Sequence, residues 1–250
     1  MITNICNNYL NRNWYIIVIN LQLLELSLII FCYNWAMKLY LSSYRMGNHI
    51  QNLKKLVGKT NAKVAVSVNA HDGSKATIRN DIILNRELKD MRSLGYEAEE
   101  LDLRNFFGKE GLLKKMNQYD LVWFSGGNTF ILIKAFRQSG FDKVIQKLVK
   151  SDKLVYAGYS AAFCVLAKSL HGVDLVDDPK VQAEGYFEET IWDGMGLIDF
   201  YPIVHFRSNH HETELVEKEY EYVKSRKIPY KTFKDGDVYI INGQKQTKFS

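Results

Sequence analysis

The strongest constraint on how this chain can fold lies in residues 154–166. An apolar run, Leu154-Val155-Tyr156-Ala157, meets Gly158-Tyr159-Ser160, and small and apolar residues then continue at helical spacing from Ala161 to Leu166. That succession reads as strand, sharp turn, helix, the unit from which an α/β sheet is built. A serine at such a turn stands clear of the sheet, with its hydroxyl exposed and the next backbone N–H aimed at whatever the hydroxyl attacks. The elbow pattern G-x-S-x-G is matched except at its last position, which is Ala162. A second reading stays open at this point: an ordinary strand-to-helix connection whose serine caps the helix.

The same alternation governs the chain from Met37 onward. Strand-like runs at Lys38–Leu41, Lys63–Val68, Glu97–Leu101 and Leu121–Phe124 are separated by helical periodicities at 48–57, 78–94, 129–138 and 141–150. Strands alternating with helices predict a three-layer α/β fold, a mainly parallel sheet with helices on both faces and sites at the carboxyl ends of the strands. Toward the C-terminus, Phe200–Arg207 reads as a strand and 209–226 as a helix starting near Asn209. Ile228–Phe233 and Asp237–Ile241 read as two strands joined at the turn signal Lys234-Asp235-Gly236.

Residues 1–36 differ in character, with a greasy stretch from Trp14 to Tyr33. A membrane anchor must tolerate Asn20, Gln22 and Glu25 near its centre, where an acid costs about 2.5–3.5 kcal/mol. Only Asn34 to Met37 would separate it from a buried strand, a reach of at most about 14 Å. A signal peptide would want a cationic start and a small-x-small cleavage site. The favoured expectation is a single catalytic domain over 37–250 whose translation starts at Met37, with 1–36 an extension outside it.

At 250 residues the chain has length for one large α/β domain, and 46% apolar with 24% charged residues excludes a disordered protein. The formal charge of +5 comes without a basic run interleaved with aromatics, so no nucleic-acid partner is expected. Three cysteines, Cys6, Cys32 and Cys164, form neither a disulfide framework nor a metal knuckle and suit a reducing, cytoplasmic compartment. The paired acids Asp177 and Asp178 read as a solvated turn, and His210-His211-Glu212 matches no zinc signature; no metal is expected.

A serine nucleophile needs a base. His205, at the end of the Phe200 strand, is better placed than His49, His71 or His171. Ser125-Gly126-Gly127-Asn128-Thr129, just past the Trp123 strand, has the glycines and the helix start that suit an oxyanion hole, though a tight turn with Asn128 or Thr129 capping a helix fits it too. Asp235 is the first orienting acid after His205, unless it is turn chemistry alone.

With Gly126-Gly127-Asn128-Thr129, Gly158-Tyr159-Ser160-Ala161 and Val204-His205-Phe206 in this order, and Leu39-Tyr40-Leu41-Ser42-Ser43-Tyr44-Arg45 at the first strand, the chain resembles the dipeptidase E family of serine peptidases, relatives of cyanophycinase. The resemblance runs from Met37 to the C-terminus. It implies a fold like that of class I glutamine amidotransferases, of flavodoxin-like type, with serine in place of their cysteine. It implies Ser160 as nucleophile, His205 as general base, the N–H groups of Gly127 and Ala161 as oxyanion donors, and Asp235 in the place of an acid that is usually glutamate. Asn128, in the same loop, is a candidate substrate contact. No cofactor is implied, the substrate is a small peptide, and a homodimer is one assembly it allows. An esterase would run serine, acid, histidine; here no histidine follows His211, which favours serine, histidine, acid.

Two departures stand out. Ala162 replaces the usual glycine, and its methyl either tightens packing or narrows the pocket. Glu214 falls where the dipeptidase carries an arginine that pairs with an N-terminal aspartate, so strict Asp-X specificity is not expected. An acid there would prefer a cationic side chain or the free α-amino group, unless it is simply a helix-start glutamate. The alternatives are a glutamine-amide hydrolase, with Cys164 one turn past Ser160, and a catalytically silent relative that binds peptides or a protein partner.

Overall fold

The computed structural model describes residues 37–149 and 153–250; the N-terminal stretch, with Cys6 and Cys32, lies outside the described residues. Strands β1 (Lys38–Ser42), β2 (Lys63–Ser67), β3 (Glu97–Glu100), β4 (Leu121–Phe124) and β5 (Val155–Tyr159) pair in parallel in the order β3-β2-β4-β5-β1. The sheet continues antiparallel through β8 (Val238–Asn242) and β9 (Lys245–Phe249) to seven strands.

Successive side chains of a strand face opposite sides of the sheet, so a strand covered on both sides must be apolar throughout. In β4, Val122 and Phe124 enter one core while Leu121 and Trp123 enter the other. In β5, Tyr156 faces the first core, and Val155, Ala157 and Tyr159 face the second. Helices α4 (Thr129–Ser139), α5 (Phe141–Val149), α6 (Ala161–Cys164) and α7 (Thr213–Ser225) cover the first face. Helix α1 (Ile50–Val57) and helix α2 (Asn85–Ser93), which continues from π-helical turns at Thr77–Leu84, cover the second; α3 (Leu112–Met116) packs with the first. The three layers are those of a flavodoxin-like α/β fold, and among the described residues no helix is long and apolar enough to cross a membrane.

Two expectations change. The Asp235-Gly236 turn is present, but its flanking strands part company: β7 (Tyr230–Thr232) pairs in parallel with β6 (Tyr201–Ile203) in a separate two-stranded sheet, while β8 joins β1. The ends of the turn are claimed by β1, through Ser43 N–H to the Asp237 carbonyl and Ser43 Oγ to the Phe233 carbonyl, so no hairpin ladder forms. The true hairpin is β8–β9, where Asn242 pairs with Lys245 across Gly243-Gln244 and Gly243 takes a φ of 60°. Asn-Gly between alternating runs is itself a hairpin signal. Finally, α7 begins at Thr213 rather than near Asn209, which leaves 204–212 as a loop over the carboxyl edge of the sheet.

Helix α7 carries a buried acid. Burial pushes the Glu219 carboxyl up to about 8, although the Tyr201 hydroxyl donates to it at 2.7 Å. The folded chain therefore keeps Glu219 protonated where the unfolded chain has released the proton. Stability from this group is full below about pH 4.5 and is lost as pH rises through 8. Glu219→Gln is expected to flatten that decline and to raise the stability at pH 8 by an amount on the order of a few kcal/mol, seen as a higher melting temperature. Thermal melts from pH 5 to 9 measure it; a variant that melts in parallel with the wild type at every pH would reject the raised value.

Candidate active site

Parallel register places the ends of three strands side by side. Ser42 of β1 pairs with Tyr159 of β5, and Phe124 of β4 pairs with Gly158 of β5, so the Ser125–Asn128 loop, Ser43-Tyr44 and Ser160 share one edge. Ser160 takes φ 51° and ψ −113°, a left-handed conformation that costs a non-glycine residue about 1–3 kcal/mol and persists only where the surroundings over-determine it. The surroundings here are tight. A Cβ on Gly158 would lie 2.6 Å from the Ala162 Cβ and 2.6 Å from the Phe124 carbonyl oxygen, and one on Gly126 would lie 2.8 Å from the Tyr159 ring. The Ala162 methyl is thus packed under the elbow, fully buried, and is not part of the pocket wall. Of its two readings, the packing one holds.

The loop after β6 brings His205 to the serine. His205 Nε2 lies 3.1 Å from Ser160 Oγ, and Nδ1 lies 2.7 Å from Asp235 Oδ1. The backbone N–H of His205 donates to Ser43 Oγ at 2.8 Å, and Ser43 Oγ in turn lies 3.2 Å from Asp235 Oδ1. The Asp235 N–H donates to Ser208 Oγ at 2.8 Å. Burial alone would raise the Asp235 carboxyl. The hydrogen bond and charge of His205, with His210 and the Ser43 hydroxyl, outweigh it and hold the group below the ordinary carboxylate value. Ser43 is a member of this network that the sequence did not mark as a site residue; its position just beyond the first strand was the only signal.

Gly127 has φ 129° and sits so close to Ala70 that any Cβ would lie 2.8 Å from its carbonyl oxygen. Among the described residues no hydrogen bond engages the N–H of Gly127 or of Ala161. Gly127 lies in the loop beside Ser160, and Ala161 is the first residue of α6. Asn128 lines the same cleft, but its side chain is occupied: Oδ1 accepts from the Ile131 N–H at 3.0 Å and caps α4, and Nδ2 donates to the Asp178 carbonyl.

The cleft, of about 360 Å³, is walled by residues from both outer layers. Arg86, Ile83 and His71 come from the elements around α2; Asp177 and Glu212 come from the α4 and α7 side. Glu214 is not among them. It is exposed on the first turn of α7, so the acid this segment brings to the cleft is Glu212, two residues earlier. Asp177 is likewise not a solvated turn residue: its carboxylate accepts the Thr129 N–H at 2.8 Å at the start of α4. Burial, with a smaller push from Glu212, raises its carboxyl to about 6. Burial, reinforced by Arg86, lowers His71 to about 4, which keeps it neutral at the cleft wall.

His210 stacks on His205 with centroids 3.9 Å apart and ring planes 6° apart, and Tyr44 meets both rings edge-on. His205, His210 and Glu212 bring ligand atoms within 4.8 Å of one another. The parallel rings do not aim their lone pairs at a common point, and both nitrogens of His205 already have partners. Cys164 is buried, its thiol is pushed well up by burial, and it lies outside the cleft. That removes the thiol on which the amide-hydrolase alternative leaned.

A mostly parallel sheet, covered on both faces, thus carries a positive-φ serine between its central strand and the following helix, the geometry of a nucleophile elbow. The model of peptidase family S51 matches residues 45–248, and the chain belongs to that family of peptidases. Relatives include an uncharacterized peptidase of Listeria monocytogenes, 29% identical over 120 residues, which are 48% of this chain and 56% of that protein. Another, from Pasteurella multocida, is 30% identical over 112 residues, 45% of this chain and 51% of the relative. The chain thus spans about half the length of the curated relatives it matches. The fold is shared with a crystal structure of a candidate peptidase E from Listeria monocytogenes EGD-e, with a TM-score of 0.65 and 22% identity over 85% of this chain and 98% of that one. A peptidase from an acI-B1 Actinobacterium also shares it, with a TM-score of 0.58 and 14% identity over 87% and 96% of the two chains.

Proposed function

We propose that the chain is a serine peptidase that hydrolyses short peptides through an acyl-enzyme. The observation that carries this reading is the line from Ser160 Oγ to His205 Nε2, 3.1 Å, and from His205 Nδ1 to Asp235 Oδ1, 2.7 Å. His205 takes the proton of Ser160 as the hydroxyl oxygen attacks the amide carbon. The oxyanion forms between the N–H groups of Gly127 and Ala161, each worth about 2.7–4 kcal/mol in such sites. Asp235 fixes the tautomer and steadies the imidazolium. His205 then protonates the leaving amine, and water hydrolyses the ester. Asp177 and Glu212 on one wall of the cleft suit the free amino end of a short peptide.

Screening a dipeptide library by mass spectrometry tests this directly. Cleavage of a subset is expected; a protein that cleaves none and is not labelled by a fluorophosphonate would overturn it. Gly127→Ala is expected to lower kcat by about 10² to 10³ with little change in KM, because the added methyl meets the Ala70 carbonyl and turns the N–H away from the oxyanion. Steady-state kinetics on a cleaved dipeptide reads that split.

A further inference from the structure

We infer that Arg86 is the residue that binds the C-terminal carboxylate of the peptide substrate, an assignment that rests on Ser160 being the nucleophile. Arg86 reaches the cleft from α2, the layer opposite the one that supplies Asp177 and Glu212. One edge of its guanidinium is spent: Nε and Nη2 donate to Glu87 Oε1 at 3.1 and 2.7 Å, and Nη2 also donates to the Tyr159 hydroxyl at 2.9 Å. Glu87 is itself sealed in the core, with its other oxygen accepting from Trp123 Nε1 at 2.8 Å and Tyr159 donating to the first at 2.9 Å. The carboxylate beneath is therefore satisfied from within, and it clamps the guanidinium in one orientation. Only Nη1 is left uncommitted. Nη1 has no hydrogen-bond partner among the described residues, and the Arg86 side chain is 32% exposed where that of Glu87 is 1%. A guanidinium clamped through Nε and Nη2 and left with the two N–H groups of Nη1 is a fixed, charged donor for a carboxylate.

The position suits a leaving group. Tyr159 holds Arg86 from the residue beside Ser160, and the Tyr44 ring packs edge-on against both Tyr159 and His205. Arg86, Tyr159, Tyr44 and His205 thus form one continuous wall. The amine that departs receives its proton from His205, so the residue it belongs to lies along that wall, and in a dipeptide that residue ends in a free carboxylate. Neutral His71 beside Arg86 adds no competing charge.

The test compares each dipeptide that is cleaved with its C-terminal amide. Wild-type enzyme is expected to prefer the free acid by about 10- to 100-fold in kcat/KM, the range for a charge-assisted pair. Arg86→Gln is expected to bring the acid-to-amide ratio near one. Arg86→Lys, which keeps a cation over Glu87 if the glutamine variant folds poorly, is expected to lower the ratio by at least tenfold. Because the ratio is taken within each variant, a general loss of activity does not mimic the effect. Titration of Ser160→Ala, with and without the Arg86 changes, by the same acids and amides reads binding without turnover. Binding that prefers the acid through Arg86 upholds the carboxylate site even if hydrolysis fails and the peptidase reading falls. An unchanged ratio, or an Arg86 dependence that follows an acidic side chain instead of the C-terminus, overturns the inference.

Discussion

Ser160→Ala is expected to remove about six orders of magnitude of kcat and all fluorophosphonate labelling, while the fold and its melting temperature stay close to the wild type. The size follows from the chemistry. A serine nucleophile, its base and its orienting acid act as one unit, and losing the nucleophile or the base alone costs nearly as much as losing all of them. His205→Ala should therefore match Ser160→Ala within about tenfold, and the double variant should be no worse than either single one. Removing the hydroxyl also relieves nothing in the backbone, since alanine must still adopt the left-handed φ of 51°. The packing of Gly126 and Gly158 around that turn holds it in place. A residual rate of about 1% or more in Ser160→Ala, with labelling retained, would place the nucleophile elsewhere and dismiss the elbow.

The elbow was legible because its constraints are local. Gly158 must lack a Cβ to lie against Ala162, and Ser160 must start a helix one residue after a strand; both demands are met within residues 154–166. His205 and Asp235 were found by elimination and by resemblance. Nothing near either residue in sequence says that a loop from 204 to 212 folds over the sheet edge, or that an Asp-Gly turn gives up its hairpin to face an imidazole. Arg86, His71 and Asp177 were missed as wall residues for the same reason. Arg86 sits in a helical pattern that reads as surface, and only the tertiary contact with Glu87 and Tyr159 turns it toward the cleft. Asp177 looked like a solvated turn until the start of α4 was seen to claim its carboxylate. Glu214 came from the resemblance alone; the helix starting at Thr213 leaves it exposed on the first turn, while Glu212, just before the helix, lines the cleft.

Asp235→Asn is the second large effect, and it separates orientation from packing. Asparagine has the shape of aspartate, so the hydrogen bond from the Asp235 N–H to Ser208 and the turn at Gly236 should survive. What changes is the atom facing His205 Nδ1. A carboxylate can only accept there, which puts the ring proton on Nδ1 and leaves Nε2 free to take the proton of Ser160 at 3.1 Å. The carboxamide has a second way to bond: its NH₂ can donate to Nδ1, and the ring proton then sits on Nε2, where it blocks the transfer. Ser43 tolerates that orientation: its hydroxyl, 3.2 Å from the same position, can turn its proton to the Phe233 carbonyl, also 3.2 Å away, and accept from the amide nitrogen instead. The expected loss is about 10⁴ in kcat, with KM for a cleaved dipeptide and the melting temperature little changed. Asp235→Glu keeps a carboxylate and should lose less than the asparagine variant. If Asp235→Asn stays within tenfold of the wild type, the acid is turn chemistry alone and the imidazole is oriented by the Ser43 contact to its backbone.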